Sequence, residues 1–133
     1  MIINDTVAAI STASGAGGIG VVRISGDAAC AVADRVFSAK NRKPLRDAAG
    51  YTMRLGELRS SDRTRLDSAI ALVFRAPKSY TGGDVVELQC HGGELVLEQT
   101  LRAVVDAGAR PAEPGEFTRR AFLNGRISLT EAE

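Results

Sequence analysis

The sequence predicts an α+β domain, a mixed β-sheet of about five strands with about three helices. Three observations predict it. Short apolar runs rich in β-branched residues at 20–25, 66–74 and 85–90 have the length and pattern of strands. Residues 94–107 instead carry an apolar stripe at helical spacing. Glycine- and proline-rich breaks separate these segments.

Taken in order, Thr6–Ser11 is short, apolar and partly β-branched, and predicts a strand. Gly20–Ser25 (GVVRIS) predicts a second. Ser25-Gly26-Asp27 offers caps for a helix over Ala28–Phe37, with Ala29, Val32, Ala33 and Val36 as its stripe. Lys40–Gly50 is polar and basic and predicts a loop. Tyr51–Arg59 alternates loosely, SSDRT makes a turn and Leu66–Phe74 is strongly apolar, a pattern expected of a β-hairpin. Ala76–Asp84 (APKSYTGGD) is a loop. In the strand Val85–Cys90, Val85, Glu87 and Gln89 share one face, and Val86, Leu88 and Cys90 share the other. His91-Gly92-Gly93 breaks it, and Glu94–Ala107 follows as an amphipathic helix with Leu97, Leu101, Val104 and Val105 on its stripe and Gly108 as its stop. Ala109–Pro114 is a connector. Gly115–Leu123 is a short helix expected to turn Phe117, Ala121 and Phe122 inward. Ser128-Leu129-Thr130-Glu131 has capping-box spacing and predicts a further helix, so the chain is expected to be a domain over 1–126 followed at 127–133 by the start of a truncated helical domain.

Composition narrows the function classes. The 133 residues suffice for one compact domain, and 44% apolar with 25% charged residues is ordinary for a soluble protein. With 17 basic against 16 acidic residues the net charge is +1, which weighs against a dedicated nucleic-acid binder but leaves room for a local basic patch. Cys30 and Cys90 are far apart and His91 is the single histidine, too few ligands for a zinc site and a usage expected in a reducing cytoplasm. No apolar run approaches the length of a membrane span, and the N-terminus lacks the basic region of a signal peptide.

Residues 15–20, GAGGIG, match the dinucleotide template G-x-G-x-x-G, but a β-branched run follows where a helix should open. No G-x-x-x-x-G-K-[ST] occurs either. The loop is expected to be a hairpin connection supplying positive φ angles, or a place where backbone approaches a flat ligand or a second chain.

Glu87 interrupts an apolar strand. It lies either on a solvated face or is aimed at a ligand with an N–C–N fork, such as a guanidinium, guanine or pteridine edge, which one carboxylate can grip with two hydrogen bonds. Arg23, between apolar neighbours, is either a surface residue or an anion clamp, and Arg126 is a second candidate clamp. Cys90-His91 is a poor nucleophile–base pair because adjacent strand residues point to opposite faces. His91-Gly92-Gly93 is expected to form a strand-to-helix turn with exposed amides lining a pocket.

DTVAAISTASGAGGIGVVRISG (5–26), APKSYTGGDVVELQCHGG (76–93) and RPAEPGEFTRRAFLNGRISLTEAE (110–133) together resemble the N-terminal domain of the tRNA modification GTPase family MnmE, also called TrmE. The resemblance runs almost end to end, with little of it between Lys40 and Leu66. It implies a fold similar to the tetrahydrofolate-binding domain of one-carbon enzymes. It also implies a homodimer holding a tetrahydrofolate derivative, in the 5-formyl or 5,10-methylene form, at its interface, as one-carbon donor for modifying the wobble uridine of tRNA. The family's bound-folate positions fall on Arg23, Glu87 and Arg126, and His91 and Gly92 join them as candidate cofactor contacts. Where the family often has lysine, Arg126 keeps the charge and changes the donor geometry. The implied partners are a MnmG-type flavoprotein and tRNA, met through the full-length protein, with no membrane. Potassium and magnesium belong to the family's GTPase domain. That domain's P-loop is absent here, so this chain is expected neither to hydrolyse GTP nor to modify tRNA alone. The alternatives are a dimerising scaffold without ligand, a direct tRNA-binding module, and a hydrolase using Cys90 with a depressed thiol pKa.

Overall fold

In the computed structural model, residues 5–11 and 18–128 are described, and their strands form one seven-stranded sheet. The strands are β1 (Val7–Ile10), β2 (Gly20–Ser25), β3 (Phe37–Ala39), β4 (Thr52–Arg59), β5 (Arg65–Phe74), β6 (Val85–Cys90) and β7 (Arg110–Pro111). The helices are α1 (Ala29–Val36), α2 (Gly93–Asp106) and α3 (Glu116–Leu123), with a 3₁₀ turn at Leu45–Asp47. The order is β3-β4-β5-β6-β2-β1-β7, antiparallel throughout except for the parallel pair β1–β7. The class is the expected α+β one with a mixed sheet.

The two strands beyond the expected five are the two edges, β3 with three residues and β7 with two. Neither is long enough to show a period of two in sequence. Pro111 is tolerated in β7 because an edge strand needs few ladder donors. β7 is held by Arg110 N–H to Thr6 O (2.9 Å) and Ala112 N–H to Ala8 O (2.8 Å).

Strand alternation sorts the residues onto two faces. Ala8, Val22, Ile24, Leu58, Ala69, Ala71, Val73, Val86, Leu88 and Cys90 are buried on the face that meets α1 and α2. The α1 stripe is buried as expected, Ala29, Val32, Ala33 and Val36 together with Cys30. In α2 the burial centres on Thr100, Ala103 and Val104, and Val96, Leu97 and Leu101 pack at its margin.

Three local expectations are corrected. No side chain of Ser25-Gly26-Asp27 makes the N-cap hydrogen bond of α1; the Thr6 hydroxyl, just before β1, accepts from Ala28 N–H (2.9 Å). The stretch 40–50 is not only solvated loop. Its Leu45 is fully buried beneath α1, because Asp34 Oδ1 accepts from Leu45 N–H (2.7 Å) and pins the turn. On α3 the buried residues are Glu116, Arg120 and Ala121, whereas Phe122 is 39% exposed. Ala121 faces inward as expected and Phe117 is half-buried, but Phe122 lost that competition to an ionic network with Asp5 and Arg110. The capping box at Ser128–Glu131 falls largely outside the described residues, as do residues 15–17 of the glycine loop.

Candidate functional site

Arg23 and Glu87 are direct cross-strand partners in the β2–β6 register, on the face away from α1 and α2. The Arg23 Nε–H donates to Glu87 Oε2 at 3.0 Å, and the two side chains are 22% and 18% exposed. A charged pair in mid-sheet with solvent access is what alternation requires once Val22, Ile24, Val86 and Leu88 take the inner positions. Their row runs Met53, Leu72, Glu87, Arg23, Ala9 across five strands.

Two aromatic rings bracket the arginine. The guanidinium carbon lies 5.1 Å from the Tyr80 ring centroid and 5.3 Å from that of Phe117, both within cation–π range. Tyr80 and Phe117 come from the 76–84 loop and α3, which close over this end of the sheet. The loop is stitched down by Ser25 Oγ to Thr81 Oγ1 (2.8 Å), Tyr80 OH to Thr118 Oγ1 (2.9 Å) and Asn124 Nδ2–H to Thr81 O (2.8 Å). Gly82 lies at φ +83°, and a Cβ there would sit 2.6 Å from that of Asn124, so only glycine lets the end of α3 lie so close. Between these parts opens a cleft of about 420 Å³, lined by Ile10, Ser11, Arg23, Tyr80, Phe117 and residues 112–116.

Arg126 reaches the same loop from the other side. Its Nε–H donates to Ser79 O (2.8 Å), the residue before Tyr80, and no carboxylate pairs with it among the described residues. The structure therefore ties both candidate cations to adjacent residues of one loop, with Glu87 beside the first.

His91 and Gly92 are not brought to this cleft. They lie about 13 Å further along from Glu87, at four strand residues of roughly 3.3 Å each. Their amides, expected to be open, both donate to Asp67 Oδ2, at 2.7 Å and 3.0 Å. That carboxylate lies just ahead of the first turn of α2, where the helix dipole favours an anion. Cys90 is 1% exposed, and burial pushes its thiol up from the usual range, the opposite of an activated nucleophile. The GAGGIG segment joins two antiparallel strands, β1 and β2, with Ser11 N–H donating to Val21 O (2.9 Å), and no helix follows it.

Two features were missed from sequence. Tyr80 carries no periodic signal, its hint being an aromatic ring in the middle of a Gly/Pro/Ser loop, and the helical spacing of Phe117 predicts an inward residue but not one over Arg23. The second is the strut beneath the cleft. Arg110 grips Glu116 with both terminal nitrogens (3.2 and 2.8 Å) and Asp5 with Nε (2.9 Å), and Arg120 bonds Glu116 Oε2 (3.0 Å) and Asp5. The Arg110 hydrogen bond is the main cause that holds the Glu116 carboxyl down at about 2, and it lowers Asp5 as well. R-P-A-E-P-G-E-F-T-R-R spells the strut out, but its partner Asp5 is 105 residues from Arg110.

Over 97% of its length the chain is 54% identical to the tRNA modification GTPase MnmE of Symbiobacterium thermophilum, covering 28% of that relative. It is 50% identical over its whole length to the protein of the same name from Chlamydia caviae, covering 29% of it. It is 51% identical to that of Shouchella clausii, over 97% of this chain and 28% of the relative. The chain thus spans under a third of the length of these curated relatives. The regions that build the cleft, β1, β2, the 76–84 loop, β6 and α3, all lie within residues 6–126, which match the family described as GTP-binding protein TrmE N-terminus, and to that family the chain belongs.

Proposed function

We propose that this domain binds a tetrahydrofolate derivative at Arg23, Glu87 and Arg126, at the interface of a homodimer, and that it serves as the N-terminal module of a cytoplasmic tRNA modification GTPase. The Arg23–Glu87 pair, set in an open sheet face beside two aromatic rings, supports this most directly. The donor set suits the ligand. Glu87 accepts a hydrogen bond from Arg23, and the further lone-pair sites of an ionised carboxylate suffice for an amino-pyrimidine edge. Arg23 and Arg126 offer cations to carbonyl or carboxylate groups, and Tyr80 and Phe117 offer flat apolar surface. Bound, the group would supply a one-carbon unit; the chain's own residues bind and orient it.

A second copy would find an apolar partner surface on the same face. Tyr51, Met53 and Leu55 are exposed there, next to half-buried Ile70, Leu72 and Phe74. Monomers rarely leave such a contiguous patch uncovered. In the full-length protein the reading extends to the wobble uridine of tRNA, a MnmG-type flavoprotein partner, and potassium and magnesium at the GTPase part. Calorimetric titration with 5-formyltetrahydrofolate, with mass followed by light scattering, tests the module. Saturation near one folate per chain, abolished in Glu87→Ala, is the expected result. A dimer that takes up no folate would leave only the scaffold role.

A further inference from the structure

Five of the chain's 17 basic residues and none of its 16 acidic ones fall within residues 35–46, so the rest of the chain is net acidic. The fold gathers these cations at the β3 edge. Arg42, Lys43 and Arg46 line a cleft of about 300 Å³ after β3 that also includes Asp34 and Ser38, and exposed Lys40 begins the same turn. Asp34 is the one acid in that lining, and it is spent on the scaffold. Its two oxygens accept from Leu45 N–H (2.7 Å) and Arg46 N–H (3.2 Å), with Arg46 Nη1 at 3.5 Å and still 65% exposed. Lys40, Arg42 and Lys43 have no carboxylate within ion-pair distance among the described residues. Arg63 extends the patch by donating to the Arg35 carbonyl (3.3 Å) at the end of α1.

We propose that this basic turn is a docking site for an RNA sugar-phosphate backbone. No large apolar side chain is exposed within residues 38–46, and protein partners usually need an aromatic or aliphatic anchor at the centre of contact. A polyanion needs only cations with free donors, and its binding gains from counterion release. Asp34 pins Leu45 and Arg46 at the far end of the turn, and Lys40 N–H to Leu55 O (2.8 Å) and Arg42 N–H to Ala39 O (3.0 Å) hold the backbone that carries the charges. The relatives are named for tRNA modification, so an RNA is the polyanion such a protein meets. This inference rests on the family reading but not on folate. Four strand spacings of about 4.8 Å put the turn roughly 19 Å from Arg23.

The test is fluorescence anisotropy of this chain with a fluorescein-labelled tRNA transcript across a salt series. Binding with a log–log salt slope of about −3 is expected for four phosphate contacts. In Lys40→Gln/Lys43→Gln/Arg46→Gln, affinity should fall at least about tenfold and the slope should shrink by about 2–3, with Lys78→Gln as the unchanged control. Folate titration of the triple variant should match the wild type, which separates this site from the cleft. An unchanged slope in the triple variant would sink the proposal. So would labelled polyglutamate binding as tightly as RNA, or no RNA binding by the folded wild type. In that last case the cations serve only to keep the edge strand from pairing.

Discussion

On one face of the sheet, Val22, Ile24, Val86 and Leu88 meet α1 and α2 and are sealed from water. On the other, their strand neighbours Arg23 and Glu87, with Leu72 and Met53 in the same row, keep partial or full contact with it. The strands are the same and the cover differs. The first face is closed by two helices through apolar contact. The second is closed at one end only, by a loop and α3 that are fastened with hydrogen bonds and the Asp5–Arg110–Glu116–Arg120 strut. Apolar burial involves no titrating group and no charge for ions to screen, whereas ionic fastening involves both. The proposed site is thus fixed by the contacts most sensitive to solution conditions.

The largest effect should come from breaking the sealed face. Leu88→Ala removes a fully buried side chain and should cost about 3–5 kcal/mol in denaturant-induced unfolding. If it costs less than Met53→Ser, the two faces have been assigned the wrong way round. Next is the strut. Glu116→Gln keeps the shape and removes the charge that Arg110 and Arg120 share, for about 2 kcal/mol. The cleft should loosen with it, seen as lower protection of α3 amides in hydrogen exchange.

Acid sharpens the contrast. The Glu116 carboxyl is held down from 4.5 to about 2 in the folded chain, so its contribution is complete above pH 4.5 and disappears as pH falls toward 2. Thermal unfolding followed between those limits should show a falling midpoint. In Glu116→Gln the fall should be shallower, with the part due to Asp5 remaining. Leu88→Ala should keep the wild-type slope at a lower midpoint. The smallest stability effect belongs to the open face. Met53 is 59% exposed, and Met53→Ser should alter unfolding by no more than about 0.5 kcal/mol while shifting the light-scattering mass toward monomer. A mass that stays dimeric in that variant would move the interface elsewhere.

Much of this was legible in the residues. The five longer strands and three helices announced themselves because periodicity is a local property, repeated often enough in each segment to be read. Alternation set Glu87 and Arg23 apart from their apolar strand neighbours, and the strand-loop-strand order around GAGGIG weighed against a dinucleotide turn. The edge strands β3 and β7 were illegible because two or three residues hold no period. The amides of His91 and Gly92 were misread because the carboxylate that takes them, Asp67, lies on another strand. Phe122 was placed inward because sequence ranks apolar over charged residues, and only a partner 115 residues away, Asp5, makes it favourable to bury Arg120 instead.

The sequence by itself determined the fold class, the two-sided character of β2 and β6, the family, and the concentration of cations in residues 35–46, because each is written in neighbouring residues. Tertiary structure alone decided that Arg23 pairs with Glu87, that Tyr80 and Phe117 flank them, that Asp34 pins the far end of the basic turn, and that α3 is fastened by charge. These contacts join residues dozens of positions apart, and for a hydrogen bond or ion pair a difference of one ångström separates a bond from none.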